Sequence, residues 1–436
     1  MITVFIKTYG CQANVADSVH LAGCLKGLGC TLVDTEDQAD LIIVNSCAIR
    51  EKAEHKMFSY LGELVEHKKN KPYLAIGVIG CVASYRKEEF FKRFDHVSFV
   101  SGAREGLETF KANLVDIIES VATKKSLYVL PGKQEQVQDN SLGWQFRRSM
   151  INIMRGCNNY CSYCIVPFTT GRERSFSMND IVEQVARDVR AGSKEVTLLG
   201  QNVNSYKDPE TGLGFATLLE RVAQIDGEFW VRFVSPHPKD MTADVIDTIA
   251  AYNQKLCAFI HLPIQSGSDK ILQLMNRTYS VETYLDQVAM IRERLPHATI
   301  TTDIIVGFPG ETERDYQATL DVVKRVRFAM IFSFIYSPRK YTSAAQLQDS
   351  CPDEVKHERL QTLHALHREI GTQVNKELVG KTVLVLLESR QSQDLSWGRT
   401  EGNVRVLVSG GALELNQFVS VRVTKTRLSD VRGDLI

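Results

Sequence analysis

The sequence predicts an α/β protein in three parts: an N-terminal parallel α/β domain, a central partial (β/α)6 barrel and a small C-terminal β-barrel. Three observations predict it. Strand and helix patterns alternate up to about residue 130, and the same rhythm returns from Ser149. Beyond about residue 380 the pattern changes to short strands separated by glycine-rich turns.

A chain of 436 residues exceeds one ordinary core. The pattern shifts divide it into 1–130, a linker at 131–148, then 149–370 and 371–436. Its 52 Lys and Arg are balanced by 52 Asp and Glu, which argues against wholesale wrapping of nucleic acid and permits a local basic face. No run of eighteen apolar residues occurs, so no membrane span is expected. Met1-Ile2-Thr3-Val4-Phe5-Ile6-Lys7 reads as a strand, without the charged start and long apolar core of a signal peptide. A cytoplasmic location follows as the expectation. There, ten cysteines serve as metal ligands or buried thiols rather than disulfides.

In the first region, strands are expected at Thr3–Thr8, Ala39–Asn45, Tyr73–Ile79 and Val97–Val100. A helix at Asn14–Leu28 and a charged one running through His67 separate them. Such alternation implies a parallel sheet, whose strands end along one ligand-binding edge. Cys11, Cys47 and Cys81 each follow one of these strands, so thiols far apart in sequence would converge. Gly10 and Gly80 allow tight turns beside a bulky group. Three unrelated buried cysteines are the plainer reading. Finding all three at strand ends favours a shared iron–sulfur cluster with one iron open. Cys24, Cys30, Cys257 and Cys351 are isolated and read as packing or surface thiols.

The polar, turn-rich stretch 131–148 marks the linker. After it, strands are expected at Met150–Met154, Glu195–Leu199, Trp230–Val234, Phe259–Pro263, Thr299–Val306 and Met330–Ile335. Helices lie between them, among them Asp180–Ala191, Phe215–Ile225 and Ser280–Leu295. Arg155-Gly156-Cys157-Asn158-Asn159-Tyr160-Cys161-Ser162-Tyr163-Cys164 follows the first strand, on the face where barrel active sites occur. Cys157, Cys161 and Cys164 can ligate three irons of a cubane and leave the fourth open to a small chelating molecule. A zinc knuckle would need a fourth nearby Cys or His, and the next of each are Cys257 and His237.

Polar, glycine-rich loops at the same edge suit a nucleoside and an amino-acid tail. Gly200, Gln201, Ser235, Gln265 and Gly307 from these loops, with Tyr163, are the candidate contacts to that small molecule. His237, between two prolines, can touch the site, whereas His261 reads as a packed or hydrogen-bonded residue.

A helical stretch at Pro352–Leu378 leads to strands at Thr382–Leu387, Asn403–Ser409 and Phe418–Thr426, with turns at Gly398, Gly402 and Gly410-Gly411. Trp397, Arg399, Arg405, Arg422, Lys425 and Arg427 offer the basic and aromatic groups with which small barrels bind RNA. Acidic neighbours nearly cancel that charge, so a solvated accessory domain stays open as the alternative.

The CxxxCxxC spacing with Tyr163 resembles the signature of radical S-adenosylmethionine (SAM) enzymes. The whole chain resembles the methylthiotransferases, which join an N-terminal cluster domain, a radical SAM barrel and a C-terminal TRAM domain that binds RNA. Thr8-Tyr9-Gly10-Cys11-Gln12-Ala13-Asn14, Gly156 to Pro167, Leu199 to Asn204, His261 to Asp269 and Asp303 to Glu311 are similar to segments of the MiaB subgroup. Ala13 departs from it, since Met is usual there.

The resemblance implies two [4Fe-4S] clusters, one binding SAM on Cys157, Cys161 and Cys164, and an auxiliary one on Cys11, Cys47 and Cys81. It implies addition of a methylthio group to C2 of N6-dimethylallyl (isopentenyl) adenosine beside the anticodon of tRNA. Implied partners are the tRNA, a flavodoxin- or ferredoxin-like electron donor and a sulfur source. The chemistry is consistent: adenine C2–H has no acidic proton for a base to remove, so breaking it takes a radical cofactor. Two alternatives stay open. One is the same reaction on threonylcarbamoyl-adenosine in tRNA or on a ribosomal protein; the other is a non-enzymatic, zinc-containing RNA-binding protein.

Overall fold

The computed structural model describes residues 2–48, 51–103, 114–121, 148–349, 351–411, 413–427 and 430–436. Most of the expected linker, 131–147, lies outside them, while Arg148 already opens a strand. The chain forms two compact units. One comprises 1–146, 155–160 and 164–174; the other comprises 147–154, 161–163 and 175–436.

Leu41-Ile42-Ile43-Val44 is buried on both faces, as a central strand of a parallel sheet requires. The first unit is built around it. Its five strands are all parallel, in the order Thr31–Leu32, Thr3–Tyr9, Leu41–Ser46, Ala75–Gly80, Phe99–Gly102. Helices Glu51–Asn70 and Cys81–Arg93 pack on one face through Met57, Leu61 and Val82. Helix Gln12–Gly27 and residues 114–121 cover the other through Leu21, Leu25, Leu114 and Ile117. From Thr3–Tyr9 the chain moves outward to Thr31–Leu32, then crosses back to Leu41–Ser46. The order therefore reverses between two neighbours, and a crevice opens at their carboxyl ends. Cys11 and Cys47 stand there.

In the second unit six parallel strands form two groups of three. Arg148–Asn152, Glu195–Leu199 and Trp230–Phe233 make one, and Phe259–His261, Thr299–Val306 and Met330–Ile335 the other. A parallel bridge between Val231 and Leu256 joins them, continued by Cys257 N–H donating to Val231 O at 3.0 Å. Helices cover the outer side, and several start where the sequence supplies a cap. Ser280 accepts from Thr283 N, and Thr312 with Asp315 completes a capping box. The result is the expected partial (β/α)6 barrel.

The C-terminal strands close a barrel in the order Thr382–Arg390, Leu395–Thr400, Arg405–Ser409, Asp430–Leu435, Phe418–Thr426. Val385, Leu387, Val406, Val408, Val421, Val423 and Val431 fill it. Gly398 corrects the sequence reading: it lies inside strand Leu395–Thr400 rather than in a turn. Any side chain there would meet Leu386 O at 2.5 Å, so a glycine marks close strand approach.

This small barrel docks on the amino-terminal ends of the parallel strands. Arg232 Nη2 donates to Thr400 O at 2.8 Å, and Asn416 Nδ2 to Gly192 O at 2.9 Å. Trp230 meets Phe418 edge to face, with centroids 4.7 Å apart. Among the described residues no helix is long and apolar enough to cross a membrane.

Candidate functional site

Cys11 caps the helix Gln12–Gly27, and Cys81 is the first residue of helix Cys81–Arg93. Helix starts favour thiolate, because their N–H groups are unpaired and the dipole is positive there. Cys47 N–H donates to Tyr9 O at 3.0 Å, which sets its thiol beside Cys11. Two glycines make the approach possible. At Gly10 (φ 147°) an added Cβ would lie 2.5 Å from Cys47 Cβ, and at Gly80 (φ 94°) it would lie 2.6 Å from Ser46 O.

Behind the thiols runs a buried polar network. Cys11 Sγ donates to Asn14 Oδ1 at 3.2 Å, and Asn14 Nδ2 to Asn45 Oδ1 at 3.0 Å. Asn45 Nδ2 donates to Ser18 Oγ at 2.9 Å. The sequence reading passed over Asn14 and Asn45, although an asparagine ending the apolar run Leu41–Val44 was the available signal.

The hydrogen bond with Cys47 does most to pull the Cys11 thiol down to about 6, and the helix-start N–H groups of Ala13 and Asn14 add to it. Burial pushes Cys81 up to about 12, with the charge of Cys11 adding, while the Thr170 hydroxyl and Arg155 act the other way. Those last two residues flank the 157–164 loop. Arg155 also pairs with Asp17 at 2.6 Å, and Ile165, next to Cys164, is buried with Val82 and Ala83. Within the first unit, the segments that carry Cys157 and Cys164 therefore lie beside the helix that starts at Cys81.

The loop itself is curled by backbone contacts. Cys157 N–H donates to Gly171 O at 3.3 Å, and Gly156 (φ 79°) has no room for a side chain beside that carbonyl. In the second unit, Ser162 N–H donates to Met275 O at 3.0 Å and its hydroxyl to Leu274 O at 2.8 Å. Arg277 Nη1 donates to Cys161 Sγ at 3.4 Å. The remaining donors of this buried guanidinium meet Tyr279 Oη at 2.8 Å and Pro263 O at 2.6 Å. Burial opposes its charge, yet Tyr163, Tyr279 and Cys161 around it hold it firmly protonated. Sequence reasoning missed Arg277, whose partner lies 116 residues away.

The rim residues are mostly backbone devices. Ser235 and Gln265 adopt left-handed φ of 60° and 75°. Gln265 N–H donates to Asp303 O at 2.9 Å and its carbonyl accepts from Ile305 N at 3.0 Å, extending the sheet edge. Gly307 (φ 68°) donates its N–H to Glu311 Oε2 at 2.7 Å, and Arg359 pairs with the same carboxylate at 2.8 Å. Gly200 lies against Met154, where an added Cβ would come within 2.5 Å of Cγ, and Gln201 follows it. Tyr163 packs beside Met275, Phe308 and Tyr336.

His237 is buried and bracketed by Asn204, which accepts from its N–H at 2.8 Å and donates to its carbonyl at 2.9 Å. Burial first, then the charge of Arg277, pushes its ring down to about 2, so it stays neutral beside Tyr279. His261 bonds Thr301 Oγ1 at 3.0 Å, in its expected structural role.

On the small barrel Arg422, Lys425 and Arg427 are exposed. Arg405 stacks on Trp397, its guanidinium 3.9 Å from the ring centroid. Arg399 is a correction. It is turned inward, donating to Glu195 at 3.0 Å, to Glu388 and to Asn403, so its guanidinium serves the domain contact rather than an RNA face.

Do these residues fit iron–sulfur clusters? Each set supplies three thiols and a cradle that side chains at Gly10, Gly80 or Gly156 would fill. Among the described residues no three of His, Cys, Asp and Glu close on one point as a single ion would need. A cubane asks less, since each thiolate holds its own iron. The residues fit.

The profile described as Radical SAM superfamily matches residues 151–323, that of Uncharacterized protein family UPF0004 residues 3–102, and that of the TRAM domain residues 376–436. A tRNA-2-methylthio-N(6)-dimethylallyladenosine synthase of Carboxydothermus hydrogenoformans is 42% identical, covering 99% of this chain and 99% of the relative. One from Clostridium novyi is 40% identical, covering 99% of this chain and 96% of its own length. The chain belongs to the tRNA-2-methylthio-N(6)-dimethylallyladenosine synthase family. As a radical SAM methylthiotransferase it is an enzyme that works with SAM and a [4Fe-4S] cluster. The fold is shared more widely than the family. The radical SAM methyltransferase TsrM from Kitasatospora setae, 12% identical, superposes with a TM-score of 0.56 over 91% of this chain and 80% of its own.

Proposed function

We propose that this chain adds a methylthio group to C2 of N6-dimethylallyl adenosine in tRNA, through two cysteine trios with separate duties. Cys157, Cys161 and Cys164 hold the cluster that binds SAM, and Cys11, Cys47 and Cys81 hold a second [4Fe-4S] cluster. The observation that carries the reading is that Arg155, just before Cys157, pairs at 2.6 Å with Asp17 of the helix that Cys11 caps, while Ile165, just after Cys164, is buried with Val82 and Ala83 next to Cys81. The substrate follows the names of relatives about 40% identical over nearly the whole chain. When bound, the clusters supply one-electron chemistry and a place for sulfur.

The chain's own residues do the rest. The Cys11–Cys47 hydrogen bond and the helix start keep a thiolate ready for iron. Arg277 offsets the negative charge gathered at Cys161 and fixes that sulfur's direction. Tyr163, Gly200, Gln201, Ser235, Gln265 and Gly307 line the strand ends and make the SAM contacts. His237, neutral and locked by Asn204, serves as a wall rather than an acid. Arg405, Arg422, Lys425 and Arg427, with Trp397, receive the RNA. A flavodoxin- or ferredoxin-like donor supplies electrons, and a separate carrier supplies sulfur. The division into 1–130, 131–148, 149–370 and 371–436 belongs to the same proposal.

The test combines nucleoside mass analysis with two variants. tRNA from cells lacking the gene should keep dimethylallyl adenosine without its methylthio group, and expression of this chain should restore it. Cys157→Ala should abolish SAM cleavage. Cys47→Ala should retain SAM cleavage and stop sulfur insertion. Equal loss of both activities in Cys47→Ala, with the first cluster intact, overturns the division of labour. Restoration of a methylthio group only on threonylcarbamoyl-adenosine overturns the substrate.

A further inference from the structure

The loop after strand Met330–Ile335 holds a tyrosine in a conformation that glycine favours. Tyr341 has φ 74° and is 57% exposed. Lys340 Nζ lies 5.2 Å from its ring centroid, and Arg339 precedes. The loop is pinned at both ends. Tyr336 N–H donates to Val306 O at 2.9 Å, which sets its start at the carboxyl end of strand Thr299–Val306. Thr342 folds back on Arg339 O through its hydroxyl at 2.7 Å, and Ala344 N–H donates to Ser162 O at 2.8 Å. Ser162 lies between Cys161 and Cys164, so the loop that carries the tyrosine is tied to this stretch three residues further on.

The C-terminal barrel is anchored at the other end of the same strand, where Gly402 abuts Thr299. Seven residue steps along the strand separate Thr299 from Val306, roughly 23 Å at the usual rise. Basic groups docked at that end leave the target nucleotide to be steadied at the rim by groups of the rim itself. An exposed aromatic ring next to cations is what unpaired bases and their phosphates take.

We propose that Tyr341, with Arg339 and Lys340, is a nucleic-acid contact on the barrel rim. The ring stacks on an unpaired base adjoining the target adenosine, and the two cations face the phosphates. The proposal rests on the tRNA reading above. It also gives the left-handed tyrosine a reason: strain at a non-glycine position persists where the side chain is needed.

The experiment is anaerobic fluorescence anisotropy of a labelled anticodon stem-loop carrying dimethylallyl adenosine, with reconstituted wild type, Tyr341→Gly and Tyr341→Phe. Glycine suits the backbone, so it keeps the loop while removing the ring. Tyr341→Gly should bind about tenfold more weakly or worse, and Tyr341→Phe within about twofold of wild type. Lys340→Ala should lower the slope of log affinity against log salt by about 0.7. If Tyr341→Gly binds like wild type while wild type converts the RNA, the contact is overturned and the tRNA reading stands. If wild type neither binds nor converts the RNA, the tRNA reading fails and the contact falls with it.

Discussion

Arg277 brings a full positive charge into the protein interior, and three acceptors hold it there: Cys161 Sγ, Tyr279 Oη and Pro263 O. Replacing it with Met would leave the carbonyl and the phenol without their charged donor, at a cost of about 2–4 kcal/mol. Urea unfolding of the apoprotein measures that loss, and iron content after reconstitution reports whether Cys161 still binds. Lysine keeps the charge but cannot reach three acceptors from one nitrogen, so Arg277→Lys should recover only part of either. His237 gives the protein a pH dependence of known sign. Its free ring titrates at about 6.5, and burial holds it down to about 2 in the fold. Between these values the unfolded chain binds the extra proton. Above about pH 6.5 the residue is therefore silent, and below it stability falls by up to about 1.4 kcal/mol per pH unit. Urea midpoints for His237→Gln should lose that part of the slope between pH 6.5 and 5.5; an unchanged slope would assign it to other groups.

Strand ends, rather than whole strands, decide the proposed auxiliary site. Gly80 sits in a left-handed conformation with Ser46 O 2.6 Å from where a Cβ would lie, so Gly80→Ala must push the Cys81 helix start away from Cys47. Iron after reconstitution should drop from about eight per chain to about four. Retention of about eight would detach Cys81 from the second cluster. Elements with strong apolar runs were legible: Glu195–Leu199, Thr299–Val306, Met330–Ile335 and Phe418–Thr426 have the bounds their sequences suggest. Thr31–Leu32 is too short to show a period. Leu395–Thr400 carries one aliphatic side chain and a glycine, so its register comes from the strands beside it. The same logic divides the site. Cysteine spacing and position after strands are local signals, readable in one dimension. Arg277 against Cys161 and Arg399 against Glu195 are contacts between distant segments, which no local pattern encodes.

At the scale of the molecule, the contact that joins the two barrels is a buried ionic one. Glu195 is almost wholly enclosed and receives Arg232 at 2.9 Å, Arg399 at 3.0 Å and Arg148 at 3.4 Å. Arg232 also reaches over to the carbonyls of Thr400 and Glu401. The three guanidinium charges hold the Glu195 carboxyl below the ordinary carboxylate range against the opposing effect of burial. A lowered carboxylate pKa contributes stability that is present above the unfolded value and is lost as pH falls through the folded one. Glu195→Gln removes the carboxylate that pairs with Arg232 and leaves that buried guanidinium without it, a loss of about 3–5 kcal/mol by comparison with other broken buried pairs. That cost falls on the interface, because the small barrel has its own core of valine and leucine side chains that does not involve Glu195. Calorimetry should therefore resolve two transitions where the wild type shows one, and limited proteolysis should cut after helix Asp353–Lys376 and release the C-terminal barrel. A single transition at the wild-type midpoint would instead assign the joint to the apolar contact of Trp230, Phe418, Cys257 and Leu386, with the ion cluster merely tolerated beside it.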